Sequence, residues 1–303
     1  MIQYVKRKDL DVEKYDACIE KSLQSNIYGY SWYLDIVCDN WDVLVLEDYC
    51  AVMPIPWKKK LFIKYVHPPF WLIQLGIYSV EVVDENEFLI ELFDDFKFVE
   101  TRTNIHNAFS MFKAYEKESY LQVLSLEDDY EVLFSNYRKD RRKDVSKAKK
   151  LDLIEKWNDD SKVLIELFKN NVGKRTPYIQ EVDYNKLQKL ITVCLEKRVG
   201  EILSIYDKEN NLVASGFFLK HKKAITILVS STDFKNRKNG ANTFLIDRAI
   251  YKFEKNFNVF NFGGSSLQTI AKYFLSFGAL TLKYPQIKYN KLPWFIKLLR
   301  KMS

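Results

Sequence analysis

The sequence predicts an α/β (α+β) chain of two domains, each a mixed central sheet flanked by helices. Three observations predict it. Apolar runs of strand length alternate along the chain with stretches whose apolar residues recur at helical spacing. The order helix, helix, strands, helix, strand in the first half returns in the second, although no residue-level repeat is visible. And 303 residues, 47% of them hydrophobic, are enough for two ordinary domains or one large one, while Gly and Pro are too scarce for long disordered linkers.

The elements follow in order. Asp11 to Ser22 carries apolar residues at helical spacing, and Ser31 caps a second short helix reaching Val37. Trp41 to Leu46 and Cys50 to Trp57 read as a hairpin turning at Asp48-Tyr49. Pro54 and Pro56 place its second strand at an edge or on a bulge. Leu61 to Val66 is a third strand, Glu85 to Phe96 an amphipathic helix, Phe98 to Glu100 the strand after it, and Tyr120 to Leu124 another. Ser125 with Asp128 then opens a long helix with a capping-box-like start. Tyr130, Leu133, Phe134, Tyr137, Val145 and Ala148 share one of its faces. The domain boundary falls at its end, giving domains 1–150 and 151–303.

In the second domain Leu153 to Trp157 is a strand, and Ser161 to Val172 and Tyr184 to Arg198 are helices. Glu201 to Tyr206, Leu212 to Lys220 and Ala224 to Ser231 form an antiparallel meander with a turn at Glu209-Asn210-Asn211. Ala241 to Phe257 is a helix, Val259 to Phe262 a strand, Leu267 to Phe277 a helix, and Leu280 to Tyr289 a last extended segment.

Charge is concentrated. Between Arg138 and Lys150 eight Lys or Arg stand against Asp140 and Asp144, within a chain of formal net charge +7. Such a run is either a solvated helix face or a site for the phosphates of a nucleotide sugar, coenzyme A, tRNA or a lipid pyrophosphate. Cys18, Cys38, Cys50 and Cys194 lack CxxC or zinc spacing and read as reduced thiols of a cytosolic protein. His67, His106 and His221 stand alone, so no metal is expected. No run without a charged residue is longer than Tyr65 to Val80, which is broken by Pro68-Pro69 and is shorter than the ~20 residues of a membrane helix. No secretory leader is expected at the start of the sequence.

Two stretches can carry chemistry. From the strand end at Ser230-Ser231 the chain enters a basic, glycine-containing loop, Arg237-Lys238-Asn239-Gly240-Ala241-Asn242, and then a helix. Free backbone N–H groups and the positive helix end suit a phosphate, although Asn-Gly is also a common surface turn. Further on, Asn261-Phe262-Gly263-Gly264-Ser265-Ser266 reads as a strand end and a glycine turn, followed by a helix that closes at Phe277-Gly278. Glycine there either makes the turn or lets a ligand approach the backbone.

The glycine turn and its helix, with the basic helix upstream (Arg141-Arg142-Lys143, Lys147-Ala148-Lys149-Lys150), resemble the acyltransferase superfamily of the FemAB peptidyltransferases and their GNAT relatives. Arg237 and Gly240 match the GNAT pyrophosphate-loop pattern Gln/Arg-x-x-Gly-x-Gly/Ala, while Asn242 stands where Gly or Ala is expected. Phe262-Gly263-Gly264-Ser265 is similar to the Phe-Glu/Gly-Gly-Ser that recurs in the FemAB family after the penultimate strand. Tyr30 to Asp35, Trp41-Asp42, Met53 to Lys60 and Gln74 to Ser79 resemble the amino-terminal half of uncharacterised GNAT-like proteins of Bacteroidetes-type bacteria. The resemblance implies two tandem GNAT-like domains, with the acceptor side in 1–150, the acyl-donor side in 151–303 and an acceptor groove between them.

The expected site residues rest on that resemblance. Ser230, Arg237, Asn239, Gly240, Ala241, Gly263, Gly264 and Ser265 would bind acetyl-CoA or another acyl-CoA as co-substrate. Arg141, Arg142, Lys58 and Gln74 would meet the acceptor or its phosphates; Lys58, Lys59, Lys60 and Lys64 read equally as solubilising lysines on an exposed hairpin tip. Many GNAT enzymes carry a general-acid Tyr four residues before the Gly that closes the last helix. Here Phe274 holds that place, and Tyr273, rotated by about 100° on the helix, is the alternative. Asp233 is the candidate base ahead of Glu201. Ser231 is a further catalytic candidate, and backbone N–H groups near Ser230 and Ser231 would polarise the thioester carbonyl.

The implied activity is transfer of an acyl group from a thioester, acyl-CoA first, to an amine on an amino sugar or another peptidoglycan- or envelope-type precursor. The expected setting is the bacterial cytoplasm, including the inner face of the membrane, where the tail Lys291 to Lys301 either lies on an anionic surface or packs against the protein. Two alternatives stand: aminoacyl transfer from charged tRNA to a peptidoglycan precursor, supported by the basic helix, and a non-catalytic GNAT-like binding protein, supported by Phe274 and Asn242. DNA is not an expected partner.

Overall fold

The computed structural model describes residues 1–60, 62–264 and 268–293, and only the backbone of 236–238. The expectations placed on Leu61, Ser265, Ser266, Leu267 and the tail from Trp294 lie outside the described residues. The chain forms two compact units: residues 1–119 joined by the chain from 283 onward, and residues 120–282. This division differs from one at Lys150, since the basic helix falls inside the second unit and the last strand returns to the first.

The first unit contains β1 (Ile2–Lys6), α1 (Val12–Lys21), α2 (Ser31–Val37), β2 (Asn40–Leu46), β3 (Ala51–Lys60), β4 (Ile63–Val66), β5 (Tyr78–Ser79), α3 (Glu85–Asp95) and β6 (Phe98–Arg102). The chain then runs through β7 (Glu116–Ser125), α4 (Tyr130–Ser135), α5 (Lys139–Lys150), β8 (Ile154–Trp157), α6 (Ser161–Asn170), α7 (Glu181–Glu196), β9 (Gly200–Tyr206), β10 (Leu212–His221), β11 (Ala224–Thr232), α8 (Ala241–Phe253), β12 (Val259–Asn261), α9 (Gln268–Leu275) and β13 (Leu280–Asn290).

In the first unit the strand order is β1-β2-β3-β4-β6-β13, with β5 paired to β3. The α3 side chains Phe88, Leu89 and Leu92 share a core with Leu44, Met53, Ile55 and Val99 of the sheet. β3 is an interior strand, yet its prolines fit an edge rule locally. β2 pairs one side of it from Ala51 to Trp57, whereas on the other side β5 pairs only Ala51 and Val52, and β4 only Trp57 to Lys60. Pro54 and Pro56 stand in the interval between, where a missing N–H breaks no second ladder. Ser31 is not the cap of α2, which is Tyr30; the Ser31 N–H and hydroxyl both donate to Asp16.

In the second unit the strand order is β7-β12-β11-β10-β9-β8. Its pairs are antiparallel except β11 with β12. The buried face of α8 (Phe244, Leu245, Ala249, Ile250, Phe253) packs with Phe218 and Phe260 of the sheet, and Trp157 joins the ring cluster. The expected single helix from Ser125 is two. The chain breaks at Asn136-Tyr137-Arg138 because the Arg138 N–H leaves the helix to donate to the Ser276 carbonyl (2.9 Å), and the buried Tyr137 ring packs edge-on against Phe277. Ser125 instead accepts a local bond from the Glu127 N–H. No helix among the described residues is long and apolar enough to cross a membrane.

One polar group of this core carries a titratable load. Asp247 of α8 is wholly buried; Tyr130 donates to one carboxyl oxygen at 2.8 Å, and the other has no partner. Burial pushes its pKa up to about 6, against the pull of the Tyr130 hydroxyl and of Arg248 and Lys149. The neutral form is therefore favoured by folding. Its stabilising effect is complete below the unfolded value near 3.8 and is lost as pH rises through about 6. Asp247→Asn is expected to be more stable than the wild type at pH 8, by up to about 3 kcal/mol. The difference should shrink toward pH 4 in urea unfolding curves recorded across that range.

Candidate functional site

β11 and β12 pair over three residues only, from Ala224↔Val259 to Thr226↔Asn261. β11 continues to Thr232 with β10 on its other edge. Just beyond the paired stretch that ladder slips: Ile227 faces Phe218 and Val229 faces Phe217, which leaves Leu228 as a bulge. A bulge bends its strand. The chain after β12 stays with β7, with the Phe262 N–H donating to the Gln122 carbonyl (2.9 Å) and the Gln122 N–H donating to that of Gly263. The two strands therefore part. Among the described residues, Ile227 to Thr232 face no strand on that edge.

The end of β11 meets the start of α8. The Thr232 hydroxyl donates to Asn242 Oδ1 (3.1 Å), and Asn242 Nδ2 donates to the Tyr273 hydroxyl (2.9 Å). Thr243 Oγ1 lies 3.2 Å from the same phenol oxygen. Arg141 stacks its guanidinium 4.8 Å over the Tyr273 ring, donates to Thr243 Oγ1 (3.0 Å) and pairs with Asp144 and Asp140 (3.0 Å each). Burial raises the Tyr273 pKa, although Thr243, Arg141 and Asn242 pull it down. The phenol is thus held protonated and fixed in place, as a proton donor must be. In the α8 first turn, Asn239 Oδ1 accepts from the Ala241 N–H (2.9 Å) and the Gly240 carbonyl from the Phe244 N–H. The N–H groups of Asn242 and Thr243 have no backbone acceptor among the described residues, as expected at a helix start.

The glycines serve backbone approaches within the chain. Gly240 has φ +83°, and a Cβ there would lie 2.5 Å from the Asp144 carbonyl oxygen of α5. A Cβ on Gly264 would strike the Tyr120 carbonyl of β7. Gly263 also has positive φ, and its N–H donates to Asn261 Oδ1. The loop and the turn are thereby clamped to α5 and β7.

The other expected residues separate into distinct places. Ser231 is buried and donates its hydroxyl to the Leu167 carbonyl (3.2 Å), so it ties β11 to α6. Ser230 is half-buried opposite Gly216. Asp233 caps the 3-10 turn Phe234–Asn239 by accepting from the Lys235 N–H. Arg237 lies in that turn. Burial would raise the Glu201 pKa, but ion pairs with Lys252 and Lys220 hold it down. Phe274 stacks on Phe262 at 5.0 Å, which is a packing role. Arg142 is exposed and donates to the Ser135 carbonyl. In the first unit, Lys58 pairs with Asp39 (3.0 Å), and buried Gln74 donates to the Thr103 carbonyl (3.0 Å). Sequence reasoning missed Thr232, Thr243 and Asp144. The spacing of Asp144 three residues after Arg141 was a signal for that pair, and Asn242 had been noticed only as a departure from a motif.

Mixed sheets flanked by helices, a three-strand meander, and a parallel pair that parts beside a helix start define a GNAT-like architecture. The chain has the tandem GNAT-like, FemAB-like fold. Among solved structures it is similar to FemX at TM-score 0.66 and 10% identity, covering 99% of both chains. A conserved protein of unknown function from Bacteroides thetaiotaomicron VPI-5482 superimposes at TM-score 0.60 and 13% identity, over 96% of this chain and 100% of that one. A tandem GNAT protein from the clavulanic acid biosynthesis pathway does so at 0.53 and 8%, over 95% and 97%. No family model matches the sequence, and no curated protein does.

Gly240→Ala combines left-handed backbone strain with a clash against α5, and is expected to destabilise the protein by about 2–4 kcal/mol. Denaturant unfolding measures it. A loss under about 0.5 kcal/mol, the range of ordinary surface substitutions, would contradict the clamp.

Proposed function

We propose that this protein is an N-acyltransferase that moves an acyl group from a thioester, acyl-CoA in the first instance, to an amine. The observation that supports it most is the parting of β11 and β12 beside the fixed Tyr273 hydroxyl. The open edge of β11 offers backbone N–H groups to a thioester carbonyl, and the start of α8 offers the N–H groups of Asn242 and Thr243 to the donor's phosphates. The amine nitrogen attacks the carbonyl carbon, the C–N bond forms and the C–S bond breaks. The Tyr273 hydroxyl protonates the departing thiolate and regains a proton from water, while the amine's proton passes to solvent. Arg141, Asn242 and Thr243 hold the phenol in position. The acceptor class is an amino sugar or another envelope precursor bearing a primary amine.

Calorimetry with CoA and acetyl-CoA tests the donor. Micromolar binding is expected, weakened in Arg237→Ala. Tyr273→Phe should keep that affinity and lower kcat about 100-fold in a thiol-release assay with amino-sugar acceptors. No binding of either compound would overturn acyl-CoA as the donor. One observation favours a second donor: Arg138, Lys139, Arg142, Lys143, Lys147, Lys149 and Lys150 are all exposed on or at the start of α5, a density of cations that suits a nucleic-acid backbone. Transfer that depends on charged tRNA and not on acyl-CoA would select it.

A further inference from the structure

The β3–β4 hairpin of the first unit carries a feature that the transfer chemistry does not use. In its outer part Lys58 faces Tyr65, Lys59 faces Lys64, and Lys60 faces Ile63. β2 pairs β3 only as far as Trp57, and β6 pairs β4 only at Val66. Outward of Trp57 and Val66 the hairpin therefore has no strand paired to either edge among the described residues, although Lys58 reaches Asp39 and the Tyr65 ring meets Phe98. Near its apex Phe62 is 92% exposed at φ +67°. Neither burial nor turn geometry calls for phenylalanine there: the conformation suits Gly or Asn, and an aromatic residue adopts it at a cost.

The charges around this ring are equally unsatisfied. Lys59 and Lys64 are directly opposed, a like-charge cross-strand pair that destabilises an isolated ladder. Lys59 Nζ lies 5.9 Å over the Phe62 ring and Lys64 Nζ 4.3 Å over Trp57. Asp39 neutralises Lys58, but Lys59, Lys60 and Lys64 have no ion pair among the described residues. An anionic surface would relieve the repulsion while taking up the ring.

We propose that this hairpin docks the protein on a bilayer containing anionic lipid. Phe62, with Ile63 beside it, enters the boundary between headgroups and acyl chains, and Lys59, Lys60 and Lys64 meet the anionic headgroups behind it. The apolar apex with its cations set back along both strands matches the layering of a membrane surface better than a nucleic-acid strand, which asks for stacking rings among its phosphate contacts.

Flotation with phosphatidylcholine vesicles, and with vesicles in which a third of the lipid is phosphatidylglycerol, tests the proposal on the full chain. Binding is expected to the anionic vesicles only, and to weaken with added salt. Phe62→Ser should weaken it about tenfold, and Lys59→Gln with Lys60→Gln about twentyfold. All these side chains are exposed, so no variant should unfold more readily than the wild type, and unfolding curves serve as the folding control. Absence of binding to anionic vesicles would overturn the proposal, as would binding that neither variant alters. Loss of single-stranded RNA binding in the same variants, without vesicle binding, would also overturn it and reassign the hairpin.

Discussion

The candidate site depends on where β12 stops pairing with β11. Three paired residues are enough to register the strands, and the bulge at Leu228 then interrupts β11 while Phe262 and Gly263 commit the other chain to β7. Had the ladder continued, the edge of β11 would be consumed by backbone bonds, and no group at its end could face a ligand. The open edge exists because two strands each have a better partner on their far side.

Holding that opening in shape falls to α5 and α9. The Gly240 backbone sits directly on the Asp144 carbonyl, and Arg141 links Asp140, Asp144, Thr243 and the Tyr273 ring. The most buried arginine of the basic run is thus occupied inside the protein, while the cations around it face solvent. One helix therefore carries two kinds of positive charge. One kind orders the hydroxyl at the site. The other is exposed to solvent, and a burial pattern separates them where a charge count does not.

Much of the second unit was legible in the sequence, because meander, loop and helix are announced by local signals: alternation, the Asn210 turn, and 3.6-residue periodicity. What was illegible is tertiary. The break before α5 arises because Arg138 bonds to Ser276, far along the chain. The division into units turns on β13 pairing with β6. Gly240 and Gly264 read as invitations to a ligand, yet the atoms that need their bareness belong to Asp144 and Tyr120. Asn242 read as a flaw in a motif, and is instead the residue that joins Thr232 to Tyr273. Each miss concerns a partner that spacing along the chain does not reveal.

The central claim is that a thioester donor lies along the open edge of β11 with its phosphates at the start of α8. Amide chemical shifts followed during titration of the isotope-labelled protein with CoA test it most directly. The account predicts saturable shifts at Ile227 to Thr232 and at Gly240 to Thr243, accompanied by Tyr273. Shifts confined to other residues, or none at CoA concentrations well above micromolar, would contradict it.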